Sequence, residues 1–371
     1  MSVSYIPEKI KVRLWGRAAG RCQYEGCNIP LWLDSLTKSE FNVAYIAHII
    51  ADKPDGPRGH PELSEKLKAD ISNLMLMCDQ HHRLIDKEAV EEHSVERLQN
   101  MKSRHESRIE LVTSLNEEKE SHLLIYGANI GQHQAPLSWK NTAQAMLPHH
   151  YPADSSPFEL GMKNSSFQDH EEGFWEIERE NLKRQVTEKI KPRFTTGEIR
   201  HLSVFALAPQ PLLIEMGRLL SDIPAADVFQ LHREPPDWKW QPHPEEFQFI
   251  LNKPKFKKNK VALNMSLSAT IDNSRIISVL GDDVSIWTLT IESPYNDFLK
   301  SREQLKMFRE TFRKLLNEIK AYHEQNDEIH LFPAVPCSVA VEIGRIWMPK
   351  ADLEMKIYDQ NHKTNGFSFV F

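Results

Sequence analysis

HLSVFALAPQPLLIEMGRLL, residues 201–220, has a second version further along the chain: HLFPAVPCSVAVEIGRIWMP, residues 330–349. Pro209, Glu215, Gly217 and Arg218 match Pro336, Glu342, Gly344 and Arg345 at one constant offset. In both copies an apolar, partly β-branched run stops at a proline, and small or apolar residues with helical spacing follow. That pattern predicts a strand, a tight turn and a helix. A second strand-like piece comes after each copy, ADVFQLHR and ADLEMKIYD. Strand–turn–helix–strand, written twice, predicts a doubly wound α/β pair with pseudo-symmetry. The turns are LAPQP (207–211) and VPCSV (335–339). Each would present helix N-terminal N–H groups at a crevice beyond the strand ends, where anions bind. Pro209, Gln210 and Pro211 in one turn, and Pro336, Cys337 and Ser338 in the other, are therefore candidate ligand residues. A two-fold crevice suits a ligand with two or more phosphates.

Working outward, HLLIYGANI predicts a strand that opens this module. Residues 131–170 read as loop with a short helix near Trp139. EEGFWEIERENLKRQVTEKI reads as an amphipathic helix, Ile286–Ile291 as a strand and 297–324 as a long helix. The polar stretch TSLNEEKES, residues 113–121, separates this module from what precedes it. The expected organisation is a domain at 1–112, a linker at 113–121 and a domain at 122–371, with halves around 122–255 and 256–371. The chain has 371 residues, 26% of them charged, and a net charge of -6. No apolar run approaches the ~18 residues that a membrane helix needs, and the start has no apolar signal core. These features predict a cytoplasmic protein with no membrane partner. In the first 110 residues acidic and basic residues nearly balance, so DNA binding there would use a local patch.

Three of the four cysteines, Cys22, Cys27 and Cys78, lie in the first quarter of the chain. With His81 they give C-x4-C and C-x2-H, spacings of structural zinc knuckles. A zinc there would tie the N-terminal turn to the helix of CDQHHRLID and supplement a small core. His82 is then left beside a rigid cross-link as a candidate ligand for a second metal. His48 ends the strand-like VAYIAHI, and Asn73 lies between them in the chain. Ser94 is placed to cap a further helix. Arg58 in the loop DGPRGHP and Arg83 on the helix are candidate phosphate contacts.

AHI (47–49), Asn73 and the pair His81–His82 resemble the His-Asn-His pattern of HNH nucleases, and the cysteines resemble the zinc-bearing branch of that family. The resemblance covers roughly residues 10–110. It implies an α+β zinc-bearing ββα-metal fold and a metal-dependent DNA endonuclease. His48 matches the general base that takes a proton from the attacking water. His82 matches the ligand of the catalytic Mg²⁺ or Mn²⁺. Asn73 matches the residue that holds the hairpin and orients the base. Ala47 stands where many members carry an aspartate ligand. Asp52, Asp79, Asp86 or water could replace it.

The remaining two-thirds has no P-loop, GxGxxG, G-x-S-x-G or HExxH. An HNH unit followed by this repeat is similar to the SAVED-domain effectors of bacterial CBASS antiphage signalling. SAVED resembles two fused CARF-like, Rossmann-like repeats. The resemblance implies that a cyclic di- or trinucleotide binds residues 122–371, drives homo-oligomerisation and activates cutting of double-stranded DNA. Base-stacking aromatics are expected in such a pocket, and EPPDWKWQP offers Trp238 and Trp240. The alternatives are a restriction-type HNH nuclease whose C-terminal part reads DNA, and a catalytically dead sensing scaffold.

Overall fold

The computed structural model describes residues 5–34, 36–114, 117–129, 137–162, 167, 169, 171–222, 225–323, 327–361 and 366–371. The chain divides into two compact units, Met1–Asn116 and Glu117–Phe371. Residues 115 and 116 of the expected linker lie outside the described residues, as do residue 130 of the expected opening strand and parts of the expected 131–170 loop.

The first unit contains α1 (Glu8–Ala18), β1 (Tyr45–His48), α2 (Leu63–Leu67), β2 (Leu74–Met77), α3 (Asp79–Arg83) and α4 (Val95–Thr113). α1 stops because Ala19 and then Gly20 take left-handed φ values of 50° and 61°. β1 and β2 pair antiparallel, with Tyr45 opposite Met77 and His48 opposite Leu74. All four residues of β2, Leu-Met-Leu-Met, are buried, so this strand is covered on both faces. Ser94 caps α4 by accepting from the Arg97 N–H. Leu14, Leu31, Ile49, Leu74, Leu76, Ile85 and Leu98 form the centre of the core.

The second unit begins with β3 (Glu120–Gly127), α5 (Trp139–Met146), β4 (Tyr151–Pro152), β5 (Phe158–Leu160), α6 (Phe174–Gln185), α7 (Lys191–Thr195), β6 (His201–Leu207), α8 (Gln210–Leu220) and β7 (Ala225–Phe229). Its first sheet is parallel and runs β4-β3-β6-β7, with β5 also on β3. Next come β8 (Ile250–Asn252), β9 (Lys260–Ser266), α9 (Asn273–Leu280), β10 (Val284–Thr290), α10 (Arg302–Tyr322), β11 (Glu328–Ala334), α11 (Cys337–Ile346), β12 (Glu354–Asn361) and β13 (Gly366–Phe369). The second sheet runs β13-β12-β11-β9-β10-β8, parallel in the middle with antiparallel edge strands. β8 precedes the expected midpoint near 255 yet joins the second sheet by pairing with β10. The short strands β4 and β5 lie where the sequence suggests loop, each held by β3.

The two repeat helices, α8 and α11, pack directly on each other. A Cβ on Gly217 would sit 1.9 Å from the Val341 carbonyl oxygen, and one on Gly344 1.8 Å from that of Ile214. The two clashes are reciprocal about a local pseudo-two-fold axis. This close crossing is why both copies carry a glycine near the helix C-terminus, three residues before the end of α8 and two before that of α11. The glutamate and arginine of each copy pair along their own helix: Arg218 Nε donates to Glu215 at 2.7 Å and Arg345 Nη1 to Glu342 at 3.1 Å. Among the described residues, no helix is long and apolar enough to cross a membrane.

Candidate functional site

In the first unit, one donor atom from each of Cys22, Cys27, Cys78 and His81 lies within 4.8 Å of the other three. His81 Nδ1 is 3.1 Å from Cys78 Sγ and 3.6 Å from Cys22 Sγ. The cysteine turn reaches this position because Gln23 docks on β2. Its N–H donates to the Leu76 carbonyl at 2.9 Å, and its side-chain oxygen accepts from the Leu76 N–H at 2.8 Å. His81 is stacked on Tyr24 with ring centres 4.1 Å apart, and the Tyr24 hydroxyl is 3.0 Å from His93 Nε2. Burial pushes the Cys22 and Cys78 thiols up. Three thiols and an imidazole converging in a half-buried corner are a donor set that fits tetrahedral zinc, which binds thiolate and would reverse that cost.

Around the hairpin, His48 ends β1 and is 6% exposed. Its Nε2 lies 2.9 Å from the Lys68 carbonyl oxygen. A carbonyl can only accept, so Nε2 is the donor in this contact, and in the neutral ring the lone pair lies on Nδ1. Asn73, 3% exposed, clamps the residues just after His48. Its Oδ1 accepts from the Ile50 N–H at 2.8 Å, and its Nδ2 donates to the Ile50 carbonyl at 2.8 Å. Its own carbonyl accepts from Ile49 N–H at 2.9 Å. Asn73 thus fixes the end of β1 rather than touching a reacting atom. His82, stacked on Tyr45, has Nε2 3.4 Å from Asp86 Oδ2. Burial holds its imidazole below the usual range, against the Asp86 charge that raises it. Ala47 is buried, and no acid can act from that position. Of the candidate replacements, Asp86 stands beside His82, whereas Asp79 pairs with exposed Arg83 at 3.0 Å.

Arg58 corrects an expectation. Its side chain is only 6% exposed and faces inward, so it cannot serve as a free phosphate contact. Nε donates to the Ile49 carbonyl at 2.8 Å, Nη1 to that of Ile85 at 2.7 Å, and Nη2 to Asp86 Oδ1 at 2.7 Å and the His48 carbonyl at 3.4 Å. The guanidinium therefore joins the backbone of His48 to the carboxylate beside His82. The i,i+4 spacing of His82 and Asp86 on one helical face was the available sequence signal for the acid. Nothing in the sequence signals that Arg58 turns inward from a residue at φ 58°.

In the second unit the two turns abut. Pro209 and Pro336 are the N-cap residues of α8 and α11. Pro211 is buried, and Gln210 Oε1 accepts from the Val335 N–H at 3.2 Å. Ser338, 1% exposed, donates from both its N–H and its hydroxyl to Gln230 Oε1, at 3.1 and 2.8 Å. Burial pushes the Cys337 thiol up to about 11, which favours the neutral thiol over the thiolate at neutral pH. Trp238 departs from expectation: it is 2% exposed and packed edge-on against Phe205 at 5.1 Å, so its ring has no free face. Trp240 is half-buried against His232 and Phe229. A cavity of 650 Å³ lies beyond the end of β10, with Phe247, Tyr295, Phe298 and Lys300 in its lining. Tyr295, 52% exposed, offers there the open aromatic face that Trp238 does not.

The family model for the SMODS-associated and fused to various effectors sensor domain, SAVED, matches residues 182–371. Among solved structures, the Acinetobacter baumannii Cap4 SAVED/CARF-domain containing receptor aligns at 11% identity with a TM-score of 0.42, over 78% of this chain and 62% of that one. The same receptor with the cyclic trinucleotide 2'3'3'-cAAA aligns at 11% identity and TM-score 0.43, over 74% and 59%. The Moraxella osloensis Cap4 SAVED/CARF-domain containing receptor gives 12% and 0.40, over 74% and 58%. The chain spans less than two thirds of the length of these receptors. No curated protein matches it.

Proposed function

The chain belongs to the SAVED family of sensor domains fused to effectors, and from that premise we propose that it is a sensor-gated, metal-dependent DNA endonuclease. In this reading residues 1–112 cut double-stranded DNA, and a cyclic di- or trinucleotide bound by the SAVED part switches the cutting on through homo-oligomerisation. The fixed tautomer of His48 carries the nuclease half. Its Nε2 proton is committed to the Lys68 carbonyl at 2.9 Å, so Nδ1 is ready to take a proton from water attacking a phosphodiester. Asn73 and Arg58 keep that imidazole in register by holding the backbone at residues 48–50. His82 and the Asp86 oxygen that Arg58 does not engage would hold Mg²⁺ or Mn²⁺. Such an ion, when bound, neutralises charge on the phosphate and the departing oxygen. Mg²⁺ keeps most of its waters, so two protein ligands are chemically sufficient despite Ala47. Cys22, Cys27, Cys78 and His81 would hold a structural zinc and take no part in the reaction.

The test is a plasmid digestion with Mg²⁺ across a panel of cyclic di- and trinucleotides, comparing the chain with His48→Ala. The expected result is DNA loss with one cyclic nucleotide only, and none from His48→Ala, which still binds that nucleotide. Equal cutting without any nucleotide would overturn the gating. No cutting under any nucleotide, with Mg²⁺ or Mn²⁺, would overturn the nuclease.

A further inference from the structure

Three side chains unused by the nuclease and sensor readings converge on one face of the first sheet of the second unit. His150 comes between α5 and β4, His201 opens β6, and Asp227 lies on β7 two residues in from its start. One donor atom of each is within 4.8 Å of the other two. The two imidazoles stack with ring centres 4.0 Å apart, and His150 Nδ1 is 3.3 Å from Asp227 Oδ2. We propose that His150, His201 and Asp227 form a second transition-metal site, of the zinc type, that ties together the N-terminal ends of three segments of this sheet.

The donor chemistry supports this assignment. Two imidazoles and one carboxylate are a zinc ligand set, and a site with three protein ligands leaves a fourth position for water. His201 is held as metal-bound histidines are. Its Nδ1 is 2.8 Å from the hydroxyl of Ser121, which is 2.8 Å from that of Ser203, and both serines are fully buried. That chain fixes the ring and leaves Nε2 as the ligating nitrogen. Arg302 is the competing cation: its Nη1 is 2.8 Å from Asp227 Oδ2. It engages the same oxygen that lies near His150, so a metal bound there would share that carboxylate with Arg302. Asp227 also lines a cavity of 320 Å³ with Trp240, Arg302, Lys306, Arg309 and Glu342, which gives water access to the carboxylate.

The test uses the full chain, stripped with a chelator and reloaded with Zn²⁺, with bound zinc counted after gel filtration. The wild type is compared with His150→Gln, Cys22→Ser and the double variant, because the cysteine site binds zinc independently. The expected result is one zinc fewer in His150→Gln than in wild type, and a further loss when Cys22→Ser is added. Equal zinc in wild type and His150→Gln would overturn the proposal. Ser121→Ala keeps every ligand and decides the matter if His150→Gln does not fold. It should weaken zinc binding at this site by about 10–100-fold. An unchanged affinity would remove His201 from the site and with it the proposal. Cobalt loading gives an independent readout: in the Cys22→Ser background a visible band without thiolate charge transfer should persist, and it should vanish in the double variant. Neither measurement depends on DNA cleavage or nucleotide binding.

Discussion

Arg58 makes the sharpest difference between reading residues by type and reading them in place. A guanidinium in a Gly/Pro loop of a proposed nuclease unit suggests a phosphate contact, but here it is buried between two backbone segments and Asp86. The two roles lead to opposite stability outcomes. A phosphate contact can be removed with little effect on folding. A buried guanidinium paired with a carboxylate cannot, because truncation leaves Asp86 without its counter-charge and removes the donors that Arg58 gives to three carbonyls. Arg58→Ala should therefore lower unfolding stability by about 3–5 kcal/mol, measured by urea denaturation. Arg58→Lys should recover only part of this, since one ammonium cannot reproduce the planar fork. DNA cleavage by Arg58→Lys should fall by about 100-fold, because the backbone of His48 and the Asp86 carboxylate lose their common support. A stable Arg58→Ala with weakened DNA affinity would restore the phosphate role. The convergence of Cys22, Cys27, Cys78 and His81 was legible from sequence because metal-ligand sets depend on residue type and short spacing. The clamp was not, because it depends on a positive φ and on a loop folding back over the hairpin.

At the scale of elements, the repeat was legible because both copies must solve one packing problem. Each strand is followed two residues on by a proline, and each helix has to approach its twin backbone to backbone, which only glycine permits at the crossing. Gly344→Ala should separate α8 from α11 and cost at least about 1–3 kcal/mol, read as a lower thermal midpoint. Gly16→Ala in α1 is the control: nothing lies within 4 Å of its added Cβ. It should be neutral or stabilise by about 0.5–1 kcal/mol, as alanine does at an unstrained helical site. Equal effects at both positions would refute the crossing argument. β9, at the heart of the second sheet, escaped the sequence reading for a physical reason. Asn264 and Ser266 break its apolar run, yet both are buried and hydrogen-bonded. Asn264 Nδ2 donates to the Ile271 carbonyl at 2.9 Å, and Ser266 donates to Asn264 at 2.7 Å and accepts from Ile271 N–H at 2.9 Å. Polar residues that satisfy one another inside a sheet look from sequence alone like a loop. β4 and β5 were hidden by brevity, since two or three residues leave no periodicity.

At the scale of the molecule, the two units draw on different sources of stability. Glu117–Phe371 has one large core that joins both sheets, the repeat helices and α10. Met1–Asn116 has a small core around one two-stranded hairpin, and its cysteine turn is held by Gln23 and by the four converging donors. Small domains with thin cores depend on staples, and a bound zinc contributes folding free energy directly. Cys22→Ser should therefore act on the first unit. Calorimetry should show the transition of Met1–Asn116 at a lower temperature, and DNA cleavage should be lost with it. Cyclic-nucleotide binding by Glu117–Phe371, measured by titration calorimetry on the same variant, should keep its wild-type affinity. His150→Gln places the converse demand: zinc binding by the second unit should be lost while that of the cysteine site is kept. A Cys22→Ser chain that melts like wild type would mean that the hairpin core suffices without the metal. One that also loses nucleotide binding would mean that the two units do not fold as separate bodies, and the stability of the sensor would then have to be derived for the chain as a whole.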